Sequence, residues 1–355
     1  MRKVRLLAKR IFRIPVLGVM PQGEHCVVED PTPEVSRGDV VHPCVRYIEE
    51  GFEGHNWWMV YTPFLGGDAS MENPRLCYSD AKRGEIPVQW KFYCEIAGQP
   101  KTGYNSDPTL LFHNGLLYVF FRENYTEAAN SAGCSRVTRG CCVSNKQVSF
   151  FEESVLFNKP RNKDKEVCPT FISKDDGFWA YTIDVRFCSR IMYVLPPKLS
   201  KWTYSFLDLL YDLCIYSRFR SRGVGIWHSS YIDHAFEYKG TVKFRRCRFL
   251  YQPWHMDLFH AETNEGTNAL FAVVLTNNKQ GDICLARSDD GKHFVFYKKP
   301  LITDFSYGMK GLYKPSAVVV DGTFMLFYTY LDSVDRTNKL LITIDKWSDV
   351  LKRIS

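Results

Sequence analysis

The sequence predicts an all-β protein, a five-bladed β-propeller of four-stranded antiparallel blades around a central funnel. The first observation is a pattern that recurs along the 355 residues. A residue followed by proline opens a short apolar strand, a turn with glycine follows, and a strand rich in aromatic residues returns. The second is the spacing: the prolines at positions 43, 108, 169 and 315 are 65, 61 and 146 residues apart. The third is that no helical pattern separates the hairpins. Repeats of this kind are typical of a propeller.

The clearest opening lies at residues 105–112, where Asp107 and Pro108 begin a strand that turns at Gly115 and returns through residues 116–122. Further copies open at His42-Pro43, Cys168-Pro169 and Lys314-Pro315. A looser copy at residues 254–259 lacks the proline in its opening but keeps the returning strand. We interpret the Ser-Asp-Asp-Gly stretch at 288–291 as a structural turn, because aspartate caps such turns and glycine accepts a positive φ.

Five units of about 60 residues therefore fill nearly the whole chain. They span residues 41–97, 103–158, 167–249, 252–301 and 312–355. Residues 1–40 form an irregular lead-in with four prolines, and such a lead-in can supply the strand that closes the last blade against the first. The third unit is overlong, and its leucine-rich residues 201–222 suggest a short helix or a lid. Trp347–Ile354 is the only late helix candidate.

Composition limits the class of partner and the compartment. The formal charge of +7 is spread in small basic clusters without a recognition motif, so we expect no nucleic-acid partner. The 12 cysteines include no Cys-x-x-Cys pair, which fits a reduced compartment better than a disulfide framework. No run of about 18 apolar residues predicts a transmembrane segment, and the basic start is a poor signal peptide. We expect a cytoplasmic monomer, with peripheral membrane attachment through the basic start as the alternative.

The openings of the five units also predict a site. The first strand of each propeller blade lines the channel, so side chains at these openings converge. The convergent side chains are His42, Asp107, Cys168 or the nearby Glu166, His255 with Asp257, and Lys314. Loops and second strands add Glu72, Arg122 and Asp184, and the nearby aromatics include Trp58, Tyr104 and Trp254. Carboxylates that supply acid, base or nucleophile, beside aromatics that stack on pyranose rings, indicate a carbohydrate as the partner.

These residues resemble a known family. The Asp/His-Pro-Ser/Thr openings are similar to those of the five-bladed β-propeller glycosidases, the fold shared by glycoside hydrolase families 32, 43 and 68. More closely, His42-Pro43, residues 57–64, Glu72-Asn73-Pro74 and residues 104–108 resemble a group of bacterial proteins assigned as glycosidases of that fold. The resemblance covers nearly all of the chain after residue 40, and it implies a bacterial glycosidase whose carboxylates act in the funnel.

The chain departs from the family pattern at the catalytic acids. Family 43 hydrolases use a base Asp that opens blade one, a second Asp in blade two and an acid Glu in blade three. Here blade one opens with His42, blade two carries Asp107, and blade three opens with Cys168, so the triad does not map residue by residue. The catalytic candidates are Asp107 as base or nucleophile, with Glu72, Asp257 and Asp184 as sources of the acid. The substrate-binding candidates are His42, Arg122, Trp254, His255, Lys314, Trp58 and Tyr104. We expect no cofactor and assign no metal ligands, because no ligand cluster in the sequence requires a metal. A metal in the channel stays an open alternative, since some members of this fold hold one there.

Each candidate also has a purely structural interpretation. Asp-Pro pairs such as that of Asp107 begin turns and strands for local reasons. Glu72 stands in a Glu-Asn-Pro loop where it can cap a turn, and His42 can be a hydrogen-bonded core histidine. Glu166 follows Lys163-Asp164-Lys165, a stretch typical of a solvated loop. The sequence leaves these alternatives open.

The leading functional hypothesis is a glycoside hydrolase that acts through carboxylate acid/base chemistry in the funnel. The second is a non-catalytic propeller that binds glycans or proteins, which the missing first-blade aspartate favours. The third is a protein that transfers sugars during polysaccharide assembly, which the lack of a convincing secretion signal favours.

Overall fold

The structure, a computed structural model, describes residues 18–20, 25–126, 134–153, 156–157, 165–187, 219–246, 253–276, 281–303, 310–332 and 334–355. Five antiparallel sheets follow one another along the chain. The first strands of the sheets contact one another in a closed ring, so they surround a common axis. The predicted five-bladed β-propeller is therefore confirmed.

The first three blades each contain four strands in sequence order. Blade one consists of β2 (Val40–Phe52), β3 (His55–Pro63), β4 (Arg75–Ser79) and β5 (Lys91–Glu95). Blade two consists of β6 (Tyr104–His113), β7 (Leu116–Thr126), β8 (Cys134–Ser144) and β9 (Gln147–Phe150). Blade three consists of β10 (Lys165–Lys174), β11 (Gly177–Phe187), β12 (Phe219–Ser229) and β13 (Glu237–Thr241).

Blade four is larger than the four strands predicted for each blade. Its main strands are β15 (Pro253–Glu262), β16 (Asn268–Thr276), β17 (Asp282–Ser288) and β18 (His293–Phe296). The chain that leaves blade three adds β14 (Lys243–Arg245), which runs parallel to β18, and β19 (Ile302–Thr303) pairs with β17. The additional pairing covers edge groups that would otherwise be exposed.

Blade five takes its outer strand from the start of the chain. Its inner strands are β20 (Lys310–Val320), β21 (Thr323–Leu331) and β22 (Asn338–Lys346). The fourth strand is β1 (His25–Val27), where Cys26 pairs with Ile342. The two ends of the described chain therefore meet in one sheet, and this pairing closes the ring.

Among the described residues, helices are few and short. They are α1 (Pro33–Ser36), two 3₁₀ turns (Leu65–Gly67 and Ala69–Met71) and α2 (Trp347–Ile354). The helix predicted at the end of the chain is confirmed as α2, which buries Trp347, Val350, Leu351 and Ile354. These positions share one face of a helix, which packs on blades four and five.

Part of the predicted helix or lid lies outside the described residues. This part is residues 201–218, whereas residues 219–222 belong to strand β12. None of the helices among the described residues has both the length and the apolar character that a membrane crossing requires.

Five apolar clusters stabilise the ring, one between each pair of neighbouring blades. Successive side chains of a strand point to opposite faces of the sheet, so one strand serves two clusters. On β3, Trp57 packs in the cluster shared with blade five and Trp58 in the cluster shared with blade two. Both are fully buried, and the burial of each large apolar side chain stabilises the fold by about 1.5–3 kcal/mol.

Candidate active site

The inner strands of four blades are interrupted at the residue that precedes proline. In β2, pairing with β3 stops at Val41 and resumes at Cys44. The same interruption occurs at Asp107-Pro108 in β6, Cys168-Pro169 in β10 and Lys314-Pro315 in β20. Proline has no N–H to donate to the ladder, so each pair bulges out of it.

Three of these bulges hold strained backbone. His42, Asp107 and Cys168 have φ values of 59°, 53° and 52°. Residues with a side chain rarely adopt positive φ, and such outliers cluster at functional sites. The bulges therefore mark the start of the inner strands as a candidate site.

The centre of the site is the imidazole of His42, which lies between two buried carboxylates. Its Nδ1 is 3.0 Å from Glu72 Oε2 and 3.1 Å from Thr62 Oγ1. Its Nε2 is 3.1 Å from Asp107 Oδ1. Burial raises the pKa of Glu72, although the neighbouring His42 opposes the rise. Glu72 therefore tends to keep its proton.

Arg122 fixes the ionised form of Asp107. Arg122 Nη2 is 2.9 Å from Asp107 Oδ2, and the guanidinium also donates to Ser106 Oγ. Burial alone would raise the pKa of Asp107, but the positive charge of Arg122 and contacts with His42 hold it well below its usual range. Asp107 is consequently a carboxylate, whereas the pKa of Glu72 on the other side of the same imidazole is raised.

Blade four contributes His255, which packs beside His42. The two ring centroids are 5.7 Å apart, and Tyr313 contacts both rings. His255 is only 1% exposed, and within the described part of the chain neither of its ring nitrogens makes a hydrogen bond. Burial lowers its pKa well below the usual value, so the imidazole is neutral. The indole of Trp254 lies on the chain beside it, with the two ring centroids 6.1 Å apart.

Lys314 and Cys168 complete the inner ring. Lys314 is buried, and its Nζ donates to the carbonyl oxygen of Pro108, which ties blade five to blade two. Burial raises the pKa of the Cys168 thiol well above its ordinary value, so it stays protonated. A protonated buried thiol is a poor nucleophile.

Asp257 faces a different set of partners. Its carboxylate binds Arg46 in two places, at 2.9 and 2.7 Å. It also accepts hydrogen bonds from Thr170, Ser316 and the backbone N–H of Ala317. Both oxygens of Asp257 are thus engaged, and the group joins blades one, three, four and five. We interpret it as an inter-blade clamp.

The remaining sequence candidates lie around this cluster. Tyr104 begins β6 and contributes to the electrostatic environment of Arg122. Asp184 pairs across the sheet with Glu166, which accepts a hydrogen bond from Thr182. Trp58 packs between blades one and two against Phe52 and Tyr93, so the structure does not bring it into the cluster.

An open cavity lies on blades one and two. Its volume is about 430 Å³, and its lining includes Pro63, Met71, Gln99 and Gly103. Small-molecule sites commonly have volumes of about 300–1,000 Å³. Met71 precedes Glu72 in the chain, but Glu72 itself is buried and is not among the residues that line the cavity.

Two features of the site escaped the sequence analysis. Arg46, the partner of Asp257, was not singled out, because nothing local marks an arginine on an apolar strand as an ion-pair partner 211 residues away. The second is a potential ligand set for a metal. His42, Asp107 and His255 each offer one ligand atom, and the three atoms lie within 4.8 Å of one another. The signal available was that all three begin inner strands.

Comparisons with known proteins support the fold. No protein-family model matches the chain, and no curated protein matches it. Among solved structures, an N-acetylgalactosamine deacetylase from F. plautii, in complex with blood group B trisaccharide, is 14% identical with a TM-score of 0.66. The match covers 96% of this chain and 97% of that one.

Family 43 glycosidases are similar over almost the same length. A GH43_1 enzyme from Xanthomonas citri, complexed with xylose, is 11% identical with a TM-score of 0.58, and 90% of each chain is covered. An α-L-arabinofuranosidase from Lactobacillus brevis is 7% identical with a TM-score of 0.53, covering 89% of this chain and 94% of that one. The chain thus shares the five-bladed propeller of these glycosidases, as its blade openings suggested.

Proposed function

We propose that this protein is a hydrolase that acts on a carbohydrate bound in the funnel, and that it cleaves a glycosidic bond. The observation that carries the proposal is the buried series Glu72–His42–Asp107 at the start of the inner strands. Two similar structures hold sugars, xylose in one and a blood group trisaccharide in the other. A site of this composition in this fold supports carbohydrate hydrolysis.

The pKa values of the two carboxyl groups are shifted in opposite directions, which is the pattern that glycoside hydrolysis uses. Glu72, whose pKa is raised by burial, can protonate the leaving oxygen as general acid. Asp107, held ionised by Arg122, can take the proton of the attacking water as general base.

The spacing favours inversion at the anomeric carbon. A whole imidazole ring separates the two carboxyl groups, since each contacts one nitrogen of His42 at 3.0 or 3.1 Å. Such a separation is nearer to the roughly 6.5–9.5 Å of inverting enzymes than to the about 5–5.5 Å of retaining ones, and hydrolysis with inversion would require His42 to turn out of the gap and admit the attacking water.

A second candidate reaction is removal of an N-acyl group from an amino sugar. The specific observation in its favour is that His42 fills the space between Glu72 and Asp107, where a two-carboxylate glycosidase would admit substrate and water. Water held near Asp107 and the neutral His255 would attack the amide carbonyl, the C–N bond would break, and the amine would leave with the proton. The similar deacetylase from F. plautii is consistent with this chemistry.

One substrate panel tests both reactions. Purified protein is incubated with aryl glycosides, oligosaccharides and N-acetylated amino sugars, and free reducing ends and free acetate are measured separately. We expect one of the two products, and Asp107→Asn should lower its rate by about 100-fold or more, because the amide cannot act as a base. If a glycosidic bond is cleaved, NMR of the first product should show the inverted anomer.

The control is Asp321→Asn, which removes an exposed carboxylate far from the cluster and should leave the rate unchanged. Equal rates for wild type and Asp107→Asn would overturn the assignment of Asp107. Glycan binding without either product, unaffected by Asp107→Asn, would instead support the non-catalytic propeller. Products formed only with an acceptor sugar would support transfer. The bacterial source, cytoplasmic location and monomeric state stay predictions.

A further inference from the structure

We propose that His42, Asp107 and His255 form a binding site for one divalent transition-metal cation. The three residues come from blades one, two and four, and each begins an inner strand or lies within three residues of its start. Their ligand atoms lie within 4.8 Å of one another, and all three side chains are buried. The site therefore depends on closure of the propeller and not on a local motif.

His255 gives independent support. A buried polar group without a hydrogen bond costs about 1–3 kcal/mol of stability. His255 is 1% exposed, and both of its nitrogens lack a hydrogen-bond partner within the described residues. A metal ion would give one of these nitrogens a partner. No hydrogen bond has to break when the His255 ring turns towards the ion.

His42 is oriented as metal-bound histidines usually are. Such a histidine typically directs its second nitrogen to a carboxylate or another acceptor, which fixes the ring. Nδ1 of His42 has Glu72 and Thr62 as these partners. Nε2 is 3.1 Å from Asp107 Oδ1 but is not aligned for a hydrogen bond with it. Nε2 is therefore free to bind a cation, and Oδ1 of Asp107 lies beside it.

The positive side chains nearby are already engaged elsewhere. Arg122 contacts Oδ2 of Asp107, which leaves Oδ1 for the ion. Lys314 donates to the carbonyl oxygen of Pro108. Asp107 and Glu72 provide the acidic groups that offset a divalent charge within the cluster.

The ligand types select the class of metal. Two imidazoles and one carboxylate suit zinc, iron, manganese, cobalt or nickel, whereas calcium and magnesium prefer oxygen ligands. Zinc–ligand bonds are about 2.0–2.2 Å, so a tetrahedral ion would draw the three atoms to roughly 3.4 Å apart. His42 Nε2 and Asp107 Oδ1 are already 3.1 Å apart, so metal binding would mainly require the ring of His255 to move closer to them.

The bound ion would activate water or polarise a carbonyl oxygen. This consequence rests on the proposed function, whereas the binding itself does not. The test therefore measures binding in the absence of any substrate, and failure of the substrate panel would leave it intact.

Full-length protein is stripped with a chelator and titrated with Zn²⁺, Mn²⁺ and Co²⁺ by calorimetry, with metal content measured after dialysis. We expect one equivalent of at least one metal, a rise in melting temperature on binding, and His- and Asp-ligated Co²⁺ in the visible spectrum. His255→Gln should abolish the binding. Glu72→Gln, which changes only the partner of His42, should weaken it by about 10–100-fold.

His260→Gln is the matched control, because His260 lies on the same strand but is exposed and outside the cluster. It should bind like wild type. Circular dichroism and urea unfolding show whether each variant is folded, and Glu72→Gln keeps the test decisive if His255→Gln does not fold. Wild type without stoichiometric metal, or equal affinities for wild type, Glu72→Gln and folded His255→Gln, would overturn the proposal.

Discussion

Asp107 and Asp257 are both buried aspartates on inner strands, but their carboxylates contact different neighbours. Asp107 contacts one imidazole through Oδ1 and one guanidinium through Oδ2, and its pKa is lowered. Asp257 has its pKa lowered too, but Arg46 occupies both of its oxygens. Residue type and burial are the same for the two aspartates, whereas the number of hydrogen bonds that each carboxylate accepts differs.

Replacing Asp257 with Asn should therefore destabilise the protein. Removing one partner of a buried, hydrogen-bonded ion pair costs about 3–5 kcal/mol, because Arg46 keeps a buried charge without its counter-ion. Urea unfolding of wild type and variant measures the difference in the free energy of unfolding. Glu95→Gln breaks the Arg75 ion pair at a site where Glu95 is 47% exposed, so the loss there should stay within about 1 kcal/mol.

The opposite result would restore Asp257 as a catalytic candidate. That result is a variant of unchanged stability that loses turnover on a substrate found with the panel above.

At the scale of single elements, two hairpins have the same Asp-Gly turn sequence but different turn geometry. Asp176-Gly177 connects β10 to β11, and Asp321-Gly322 connects β20 to β21. Gly322 has φ of +72°, which is ordinary left-handed backbone, and Gly177 has φ of +124°. A Cβ at position 177 would lie 2.5 Å from the carbonyl oxygen of Ser229, while one at 322 would meet no atom within 4 Å.

Gly177→Ala should for this reason be more damaging than Gly322→Ala. A side chain in left-handed backbone costs about 1–2 kcal/mol. The free energy of unfolding of Gly322→Ala should fall by this amount and no more. At position 177 the clash with Ser229 adds roughly 1–3 kcal/mol, because strand β12 must shift to relieve it. Urea unfolding of the two variants compares them directly. Equal losses would show that β12 moves without cost.

At the scale of the whole molecule, the sequence predicted features that depend on neighbouring residues and missed contacts between residues that are far apart in the chain. Each blade is a hairpin with its own proline and glycine signals, so the repeat and the all-β fold were visible. Asp107, His42 and Glu72 were chosen because they begin a blade or stand in a neighbouring loop. Arg46 could not be paired with Asp257 because the propeller brings them together across 211 residues. Trp58 was proposed for sugar binding, but its strand position directs it into the core.

The ring closes between blades five and one, and two kinds of contact cross that junction. Asp39 is fully buried, and its Oδ1 accepts hydrogen bonds from the backbone and side chain of Asn338, at 2.9 and 2.8 Å. Its Oδ2 accepts one from the backbone N–H of Gly66 at 3.0 Å. Arg83 and Asp321 form an ion pair between the same blades, but 54% and 43% of their side chains are exposed.

Asp39→Ala should consequently weaken the closure, and Asp321→Ala should not. Removing the Asp39 carboxylate leaves buried donors on Asn338 and Gly66 unpaired. This should lower the free energy of unfolding by about 1–3 kcal/mol. The exposed ion pair of Asp321 is worth about 1 kcal/mol or less. Because the loss is at the junction, hydrogen exchange in Asp39→Ala should rise first in β1 and β22, with β11 of blade three still protected. Uniform acceleration across all blades would show instead that the propeller unfolds only as a single unit.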